Sequence, residues 1–277
     1  MNVRGVVGPG ATFGAVPSRE LPARRSGWDT IKLSLFLGWQ DIRLMYRRSV
    51  LGQFWITLSM AITFAAIGSV FGFIFNTPLA QYLPFLGCGL VFWSFMSVLL
   101  TEGATSFIAA ESFLKQLPLP LTTFFLRTVW KTIFVMLHNV AALIVLLLIF
   151  PQGISAVTLS VVPGVLLATT AMGGIALALA VVSTRFRDVP QILGAVIQVC
   201  FYVTPIVWQP ESIPEGPRGI ILFWNPFYHL LQVIRQPLLN VAPSWTEWGI
   251  ALGLAVVSAA IGWAVYLSNR TKIAFWV

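Results

Sequence analysis

Three arginines stand directly ahead of a long apolar run, where their positive charges can attract anionic groups. Arg43, Arg47 and Arg48 precede the apolar run that begins at Leu51. Basic residues beside a membrane span lie at the depth of the lipid headgroups and are attracted to anionic lipids. These arginines therefore predict a segment on the cytoplasmic surface of a membrane.

The segment that carries these arginines has the spacing of an amphipathic helix over 28–48. Bulky apolar residues recur there at steps of three and four, which places them on one helical face. A helix of this kind lies in the headgroup layer. A second apolar set faces the other way, and we expect that side to rest on protein. The first face comprises Trp28, Ile31, Leu35, Trp39, Ile42 and Tyr46, and the second comprises Leu33, Phe36, Leu37 and Leu44.

The composition is that of an integral membrane protein. Of the 277 residues, 57% are hydrophobic and 9% are charged, whereas soluble domains carry roughly 25% charged residues. The formal net charge is +8. The basic residues lie between apolar runs rather than on one water-facing surface, so nucleic acid is not an expected partner.

Six apolar runs predict six transmembrane helices in an all-α fold. Four runs exceed the roughly 20 residues needed to cross a bilayer, and the last two are near that length. Residues 209–240 hold short apolar pieces broken by five prolines, which predicts two short re-entrant helices. Residues 1–27 predict a disordered cytoplasmic tail, and 28–277 a single transmembrane domain. The predicted spans are 51–75, 83–108, 124–150, 157–183, 192–208 and 248–267.

The distribution of Lys and Arg sets the expected orientation. With the N-terminus inside, 15 of the 17 basic residues fall on or near the inner face, and Arg218 and Arg235 fall outside. Cytoplasmic segments carry the excess of Lys and Arg in membrane proteins. We therefore expect a multi-pass membrane protein with both termini in the cytoplasm.

Charged residues inside the predicted spans need a partner or a function, because an isolated charge is costly there. Glu102 lies about 9 Å along its helix from the inner end of its span, and Arg127 lies at a similar depth in the next span. We expect Glu102 to pair with Arg127 or with Lys131, as a clamp near the inner mouth. Alternatively, these charges line a passage for an anionic substrate.

The inner loop at 111–120 is too apolar for a solvated linker. A short helix, stopped by the prolines at its end, would form a knob that a cytoplasmic partner can grip. A tight turn packed on its own spans is the alternative. The residues of the knob are Glu111, Phe113, Leu114, Lys115, Leu117 and Pro118.

Aromatic side chains cluster toward the predicted outer face. An aromatic belt at the membrane interface accounts for many of them. A second interpretation is that they stack on the apolar faces of sugars that pass between subunits. The candidates for this glycan path are Phe201, Tyr202, Trp208, Trp224, Phe227 and Tyr228.

Motifs for catalysis are absent from the sequence. There is no G-x-x-x-x-G-K-[ST] phosphate loop, so the chain cannot hydrolyse ATP by that route. No cluster of carboxylates, His or Cys suits a metal, and Cys88 and Cys200 fall inside apolar runs as packing residues. Membrane enzymes that transfer sugars or lipid phosphates are therefore poor candidates.

Seven short motifs, in order along the chain, resemble the membrane subunit of bacterial polysaccharide ABC exporters. The resemblance is closest to the O-antigen exporters of lipopolysaccharide, with galactan and teichoic acid exporters as relatives, and it covers about 28–277. The motifs are Gly38–Arg43, Tyr46–Gly52 with Phe54–Ile56, Tyr82–Leu86, Lys115–Pro120, Arg185–Pro190, Thr204–Ile206 and Asn225–His229.

That resemblance implies an ATP-driven exporter, in the bacterial inner membrane, of polysaccharide linked to undecaprenyl diphosphate. It implies a homodimer of this chain with two separate ATPase subunits, which would bind ATP and Mg²⁺, and no cofactor in this chain. The loop at 111–120 would dock the ATPase, and Arg43, Arg47 and Arg48 would meet the lipid diphosphate or only anchor the leaflet. The alternative cargoes are another lipid-linked polymer, such as teichoic acid, galactan or capsule, and a small lipid or drug.

Overall fold

Helices form nearly all of the described part of the chain. The computed structural model describes residues 27–47, 50–116 and 119–276, which form ten α-helices, two 3₁₀ turns and no strand. The all-α prediction is confirmed, and the predicted tail lies outside these ranges except for Gly27. The helices are α1 (Gly27–Met45), α2 (Phe54–Ile74), α3 (Leu79–Ala109), α4 (Glu111–Gln116), α5 (Leu121–Ile149), α6 (Val161–Arg185), α7 (Val189–Val203), α8 (Glu215–Phe223), α9 (Pro226–Leu238) and α10 (Trp245–Trp276).

Five of these helices, α2, α3, α5, α6 and α10, are long and apolar enough to cross a membrane. The predicted span 192–208 was wrong at its end, because α7 stops at Val203. Its 15 residues extend about 22 Å, less than the roughly 30 Å of a hydrocarbon core. Thr204 is extended because the ring of Pro205 disfavours a helical residue before it. A sixth span and the re-entry of α8 and α9 into the membrane stay predictions.

The central helix of the fold is α3. In its most apolar stretch 72% of the residues are buried, against 22% in α2 and in α10. It packs against α2, α5, α6, α7 and α9. The hydrophobic core therefore forms around one helix, and α2 and α10 keep broad apolar faces for lipid.

Helices α6 and α10 meet at backbone contact. A Cβ atom at Gly174 would overlap the backbone of Ser258 and Ala259, and one at Gly262 would overlap the backbone of Gly174. Small residues four apart allow this approach. Small residues on both helices thus join them within one chain.

Helix α1 packs on α5 and buries a stripe of three small residues and Ile42, while its Trp39 ring lies 5.1 Å from the ring of Phe134 on α5. At Gly38 a Cβ atom would lie 2.9 Å from Cδ1 of Trp130, so only glycine allows this approach. The expectation that the second apolar face rests on protein is wrong for Phe36 and Leu44, which are exposed. The helix also ends at Met45, three residues before the predicted end. The buried stripe is Thr30, Ser34, Gly38 and Ile42.

Side-chain contacts define two ends of the helix bundle. The first, called the α1 end, joins α1, α4, the last turns of α3 and the start of α5. The second, called the α9 end, joins α9 to the start of α3 and to the residues that follow α5. There Nε2 of Gln152 donates a hydrogen bond to the carbonyl oxygen of Ala80 (3.5 Å), and Oγ of Ser155 donates to Oδ1 of Asn240 (2.6 Å).

Candidate functional site

Arg127 on α5 joins three helices at the α1 end. Its Nε donates to Oδ2 of Asp41 at 2.5 Å, and its Nη2 donates to Oδ1 of the same carboxylate. Its Cζ also lies 5.6 Å from the centre of the Phe113 ring on α4, a cation–π contact. A pair between Arg127 and Glu102 is therefore not formed, because α1 runs along α5 and brings Asp41 to the guanidinium.

Glu102 on α3 pairs instead with Lys131, the other partner expected from the sequence. The Lys131 Nζ lies 2.6 Å from the Glu102 Oε2. That oxygen has no aligned hydrogen-bond donor in the described chain, so the contact is ionic. The side chains are 20% exposed for Lys131 and 36% for Glu102, and solvent therefore screens the pair.

Both ion pairs line one cavity of about 430 Å³ between α1, α3 and α5. Two cations and two carboxylates face it, so their formal charges cancel. Within the described ranges no group of three or more His, Cys, Asp or Glu residues could hold a metal ion. An anionic substrate would meet repulsion as well as attraction here, so the geometry favours a clamp between helices over a passage.

A groove between the end of α1 and the start of α2, called the basic groove, holds two of the predicted arginines. Arg43 and Arg47 are exposed and line a cavity of about 710 Å³. Arg43 stands in the last turn of α1, where the helix dipole stabilises a cation. Burial raises the pKa of the neighbouring Tyr46 phenol above its ordinary 10.0, so this lining group is neutral at pH 7. Arg48 lies outside the described residues.

Helix α4 presents an aromatic ring outward. Phe113 is 41% exposed, and its ring centre lies 6.1 Å from that of Phe124 on α5. Leu114 is partly buried, and Glu111 stands in the first turn, where the helix dipole favours a carboxylate. The exposed ring is thus tied through Arg127 to the rest of the α1 end. Lys115 lies on α4 with its side chain undescribed, and Leu117 and Pro118 lie outside the described residues.

The six aromatic candidates divide into packed and exposed side chains. The rings of Phe201 and Phe227 are partly buried and lie 5.8 Å and 5.1 Å from the ring of Trp93, a core residue. Tyr202 and Trp224 are 67% and 78% exposed. The half-buried pair is Trp208, whose Nε1 donates to the Tyr202 carbonyl oxygen (2.9 Å), and Tyr228, whose hydroxyl accepts from Gln232 (2.8 Å). Of the six, Tyr202 and Trp224 therefore have the rings that are exposed enough to contact a ligand.

A buried polar network at the α9 end escaped sequence reasoning. Its centre is Arg235, which is 1% exposed and donates hydrogen bonds to Gln232 and to the carbonyl oxygen of Pro205. Asn225 begins α9 and contributes a further hydrogen bond, to Thr204. The signal for this network in the sequence is Arg235 itself, a single charge in a short apolar segment, because such a charge needs partners.

This chain is similar to known proteins over most of its length. Residues 33–239 match the ABC-2 type transporter family. An O-antigen export system permease protein RfbA of Klebsiella pneumoniae is 23% identical over 238 residues, which is 85% of this chain and 90% of that protein. The RfbA of Myxococcus xanthus is 22% identical over 244 residues, or 85% and 91%. Since the family match spans more than half of the chain, this protein belongs to the ABC-2 type transporters, whose permeases work with a separate ATPase subunit.

Proposed function

We propose that this chain is the permease of an exporter that carries O-antigen-type polysaccharide, linked to undecaprenyl diphosphate, across the inner membrane. The observation that carries the proposal is the match over 85% of the chain to permeases of O-antigen export systems. The concentration of Lys and Arg near the α1 end supports placing that end, with both termini, in the cytoplasm.

The basic groove is the proposed site for the lipid diphosphate. Arg43 and Arg47 present two exposed cations beside the neutral Tyr46, and the described residues that line this groove include no acidic side chain. A diphosphate at headgroup depth would therefore meet net positive charge, and Arg48 continues the same basic stretch of sequence. The cavity at Arg127 carries no such excess charge.

Helix α4 is the proposed contact for the ATPase. Its exposed Phe113 offers an apolar anchor of the kind that dominates protein interfaces. Motion of α4 would act on Arg127 by the cation–π contact, and then on α1 by the Asp41 ion pair. Two copies of this chain with two ATPase subunits, which bind ATP and Mg²⁺, complete the proposed exporter.

Deletion of the chain tests the transport proposal. In the parent bacterium, loss of this permease should leave lipid-linked polysaccharide inside the cell and remove it from the surface. Complementation with the intact chain should restore surface polymer. Normal surface polysaccharide in the deletion strain would contradict the proposal.

Binding to vesicles tests the role of the basic groove. The double substitution Arg43→Gln and Arg47→Gln should lower affinity for vesicles that contain undecaprenyl diphosphate by about tenfold, since each phosphate contact is charge-assisted. The matched variant, Arg43→Lys with Arg47→Lys, keeps both charges. Equal loss of binding to phosphatidylglycerol vesicles would assign the arginines to plain anchoring in the leaflet.

A further inference from the structure

The residues Thr204–Val207, which follow α7, form a buried non-helical segment, here called the pinned segment. Thr204, Pro205 and Ile206 are buried and Val207 is partly buried. The Ile206 amide donates to the Thr204 carbonyl oxygen at 2.8 Å. Buried backbone outside a helix must find other hydrogen-bond partners, because an unpaired polar group is costly away from water.

Two buried side chains supply such partners from outside the segment, and a third binds the side chain of Thr204. Oη of Tyr82, at the start of α3, donates to the Val207 carbonyl oxygen at 2.7 Å. Nη1 of Arg235, near the end of α9, donates to the Pro205 carbonyl oxygen at 2.7 Å. Nδ2 of Asn225, at the start of α9, donates to the Thr204 hydroxyl at 2.9 Å. The segment is thus held by α3 and by both ends of α9.

The partners of Arg235 hold its guanidinium in one position. Its Nε and Nη2 donate to Oε1 of Gln232 at 3.2 Å and 3.0 Å, and its Cζ lies 4.1 Å from the centre of the Phe85 ring. All of these described partners are neutral. A buried cation that lost one of them would retain its desolvation cost with less compensation, so the guanidinium resists displacement.

Close packing adds to the hydrogen bonds. A Cβ atom at Gly89 of α3 would lie 3.1 Å from the carbonyl oxygen and 3.3 Å from Cγ2 of Ile206. Oδ1 of Asn225 meanwhile accepts from the amides of Phe227 and Tyr228, at 3.0 Å and 3.2 Å, and caps α9. One side chain therefore both begins α9 and holds Thr204.

Helix α7, on the other side of the pinned segment, is loosely packed. Of its 15 residues only Ile197 is buried, while Tyr202 and Val203 beside the segment are exposed. One end of this helix is therefore fixed to α3 and α9, and its body has few neighbours in the chain.

We propose that the pinned segment is a fixed pivot for transport. Tyr82, Asn225 and Arg235 are its positioning residues, and they keep the start of α3, the pinned segment and α9 together as one body while α7 turns about this end. The role in transport rests on the proposed function, whereas the rigidity of the segment does not.

Hydrogen–deuterium exchange of the permease–ATPase complex in lipid nanodiscs tests the pivot. In peptides covering 201–209, Arg235→Met should speed exchange by about tenfold, and Tyr82→Phe by about fivefold, because each removes donors to buried acceptors. Tyr82→Phe keeps the aromatic ring, so it still tests the proposal if the Arg235→Met protein does not fold. The matched control is Arg270→Met, at an exposed residue of α10, and it should leave these peptides unchanged.

Export in the same variants separates the two proposals. Polymer exported per ATP hydrolysed should fall several-fold in Tyr82→Phe and stay normal in Arg270→Met. Unchanged exchange at 201–209, an equal rise in every peptide of the chain, or faster exchange with normal export per ATP would each overturn the pivot. The exchange readout needs no polymer, so an error in the assigned cargo leaves that result interpretable.

Discussion

The two ends of the bundle hold their helices together by different chemistry. At the α1 end the links are ion pairs with partly exposed side chains, Asp41 with Arg127 and Glu102 with Lys131. At the α9 end a fully buried arginine has neutral partners. Exposed ion pairs contribute roughly 0–1 kcal/mol and can separate and re-form, whereas a buried cation that loses a partner is strongly destabilising. We therefore expect rearrangement at the α1 end and rigid-body motion at the α9 end.

The largest expected effect comes from placing charges on the α4 surface. Phe113→Asp with Leu114→Asp should reduce export by about tenfold or more, because an apolar anchor at an interface contributes at least about 2 kcal/mol. The permease should still fold, and ATP hydrolysis should continue without export. Phe113→Leu with Leu114→Met, which keeps apolar side chains at both positions, is the matched control and should retain export. Normal export by the double variant would remove α4 from the proposed contact.

Breaking the link between α1 and α5 should have the next largest effect. Asp41→Asn leaves the Arg127 guanidinium without its carboxylate, and we expect a loss of about 1–2 kcal/mol of stability, discounted for partial exposure. The midpoint of thermal unfolding in lipid nanodiscs measures this loss. Asp29→Asn, at an exposed position of α1, should have little effect. Equal shifts in the two variants would contradict a specific role for the Asp41 pair.

The second ion pair should be weaker. A double-mutant cycle with Glu102→Gln and Lys131→Met should give a coupling free energy of about 0.5–1 kcal/mol, because solvent screens this pair. The same cycle at Asp41 and Arg127 should give a larger value, since that pair has two parallel hydrogen bonds. The reverse order would mean that Glu102, rather than Asp41, provides the main clamp.

The smallest expected effect is that of salt. Between 0.05 and 0.5 M salt the Debye length falls from about 14 to 4 Å, and exposed ion pairs weaken with it. Amides of α1 should then exchange about twofold faster in hydrogen–deuterium exchange, while peptides at 201–209 should not respond. A similar response at both ends would remove the distinction between them.

The apolar runs predicted most of the fold, because the span of a membrane helix is set by composition and length. Five predicted spans correspond to helices long and apolar enough to cross a membrane. The fifth predicted span, 192–208, runs through Pro205, although a proline disfavours helix at the residue before it. The bulky residues of α1 do not mark its buried side either, because that side consists of Thr30, Ser34, Gly38 and, of the bulky residues, Ile42.

The candidate site was less predictable than the fold, because its links join residues far apart in sequence. Arg127 and Asp41 are 86 residues apart, and a charge count cannot tell whether Asp41 or Glu102 will reach the guanidinium. The polar network around Arg235 depends on carbonyl groups, which every residue has. Sequence can therefore mark Arg235 as a costly charge, but it cannot name Pro205 as the acceptor.

The glycine contact between α6 and α10 also has a consequence for biosynthesis. The backbone of α6 at Gly174 fits against Ser258 and Ala259 of the last helix, which are translated 73 and 74 residues after α6 ends at Arg185. At about 5–20 residues per second the ribosome needs roughly 4–15 s to supply this partner. During that interval the surface of α6 around Gly174 faces lipid instead of α10. Nascent chains truncated before α10 should therefore remain incompletely folded in the bilayer. Quality-control proteases should recognise them by the uncovered face of α6.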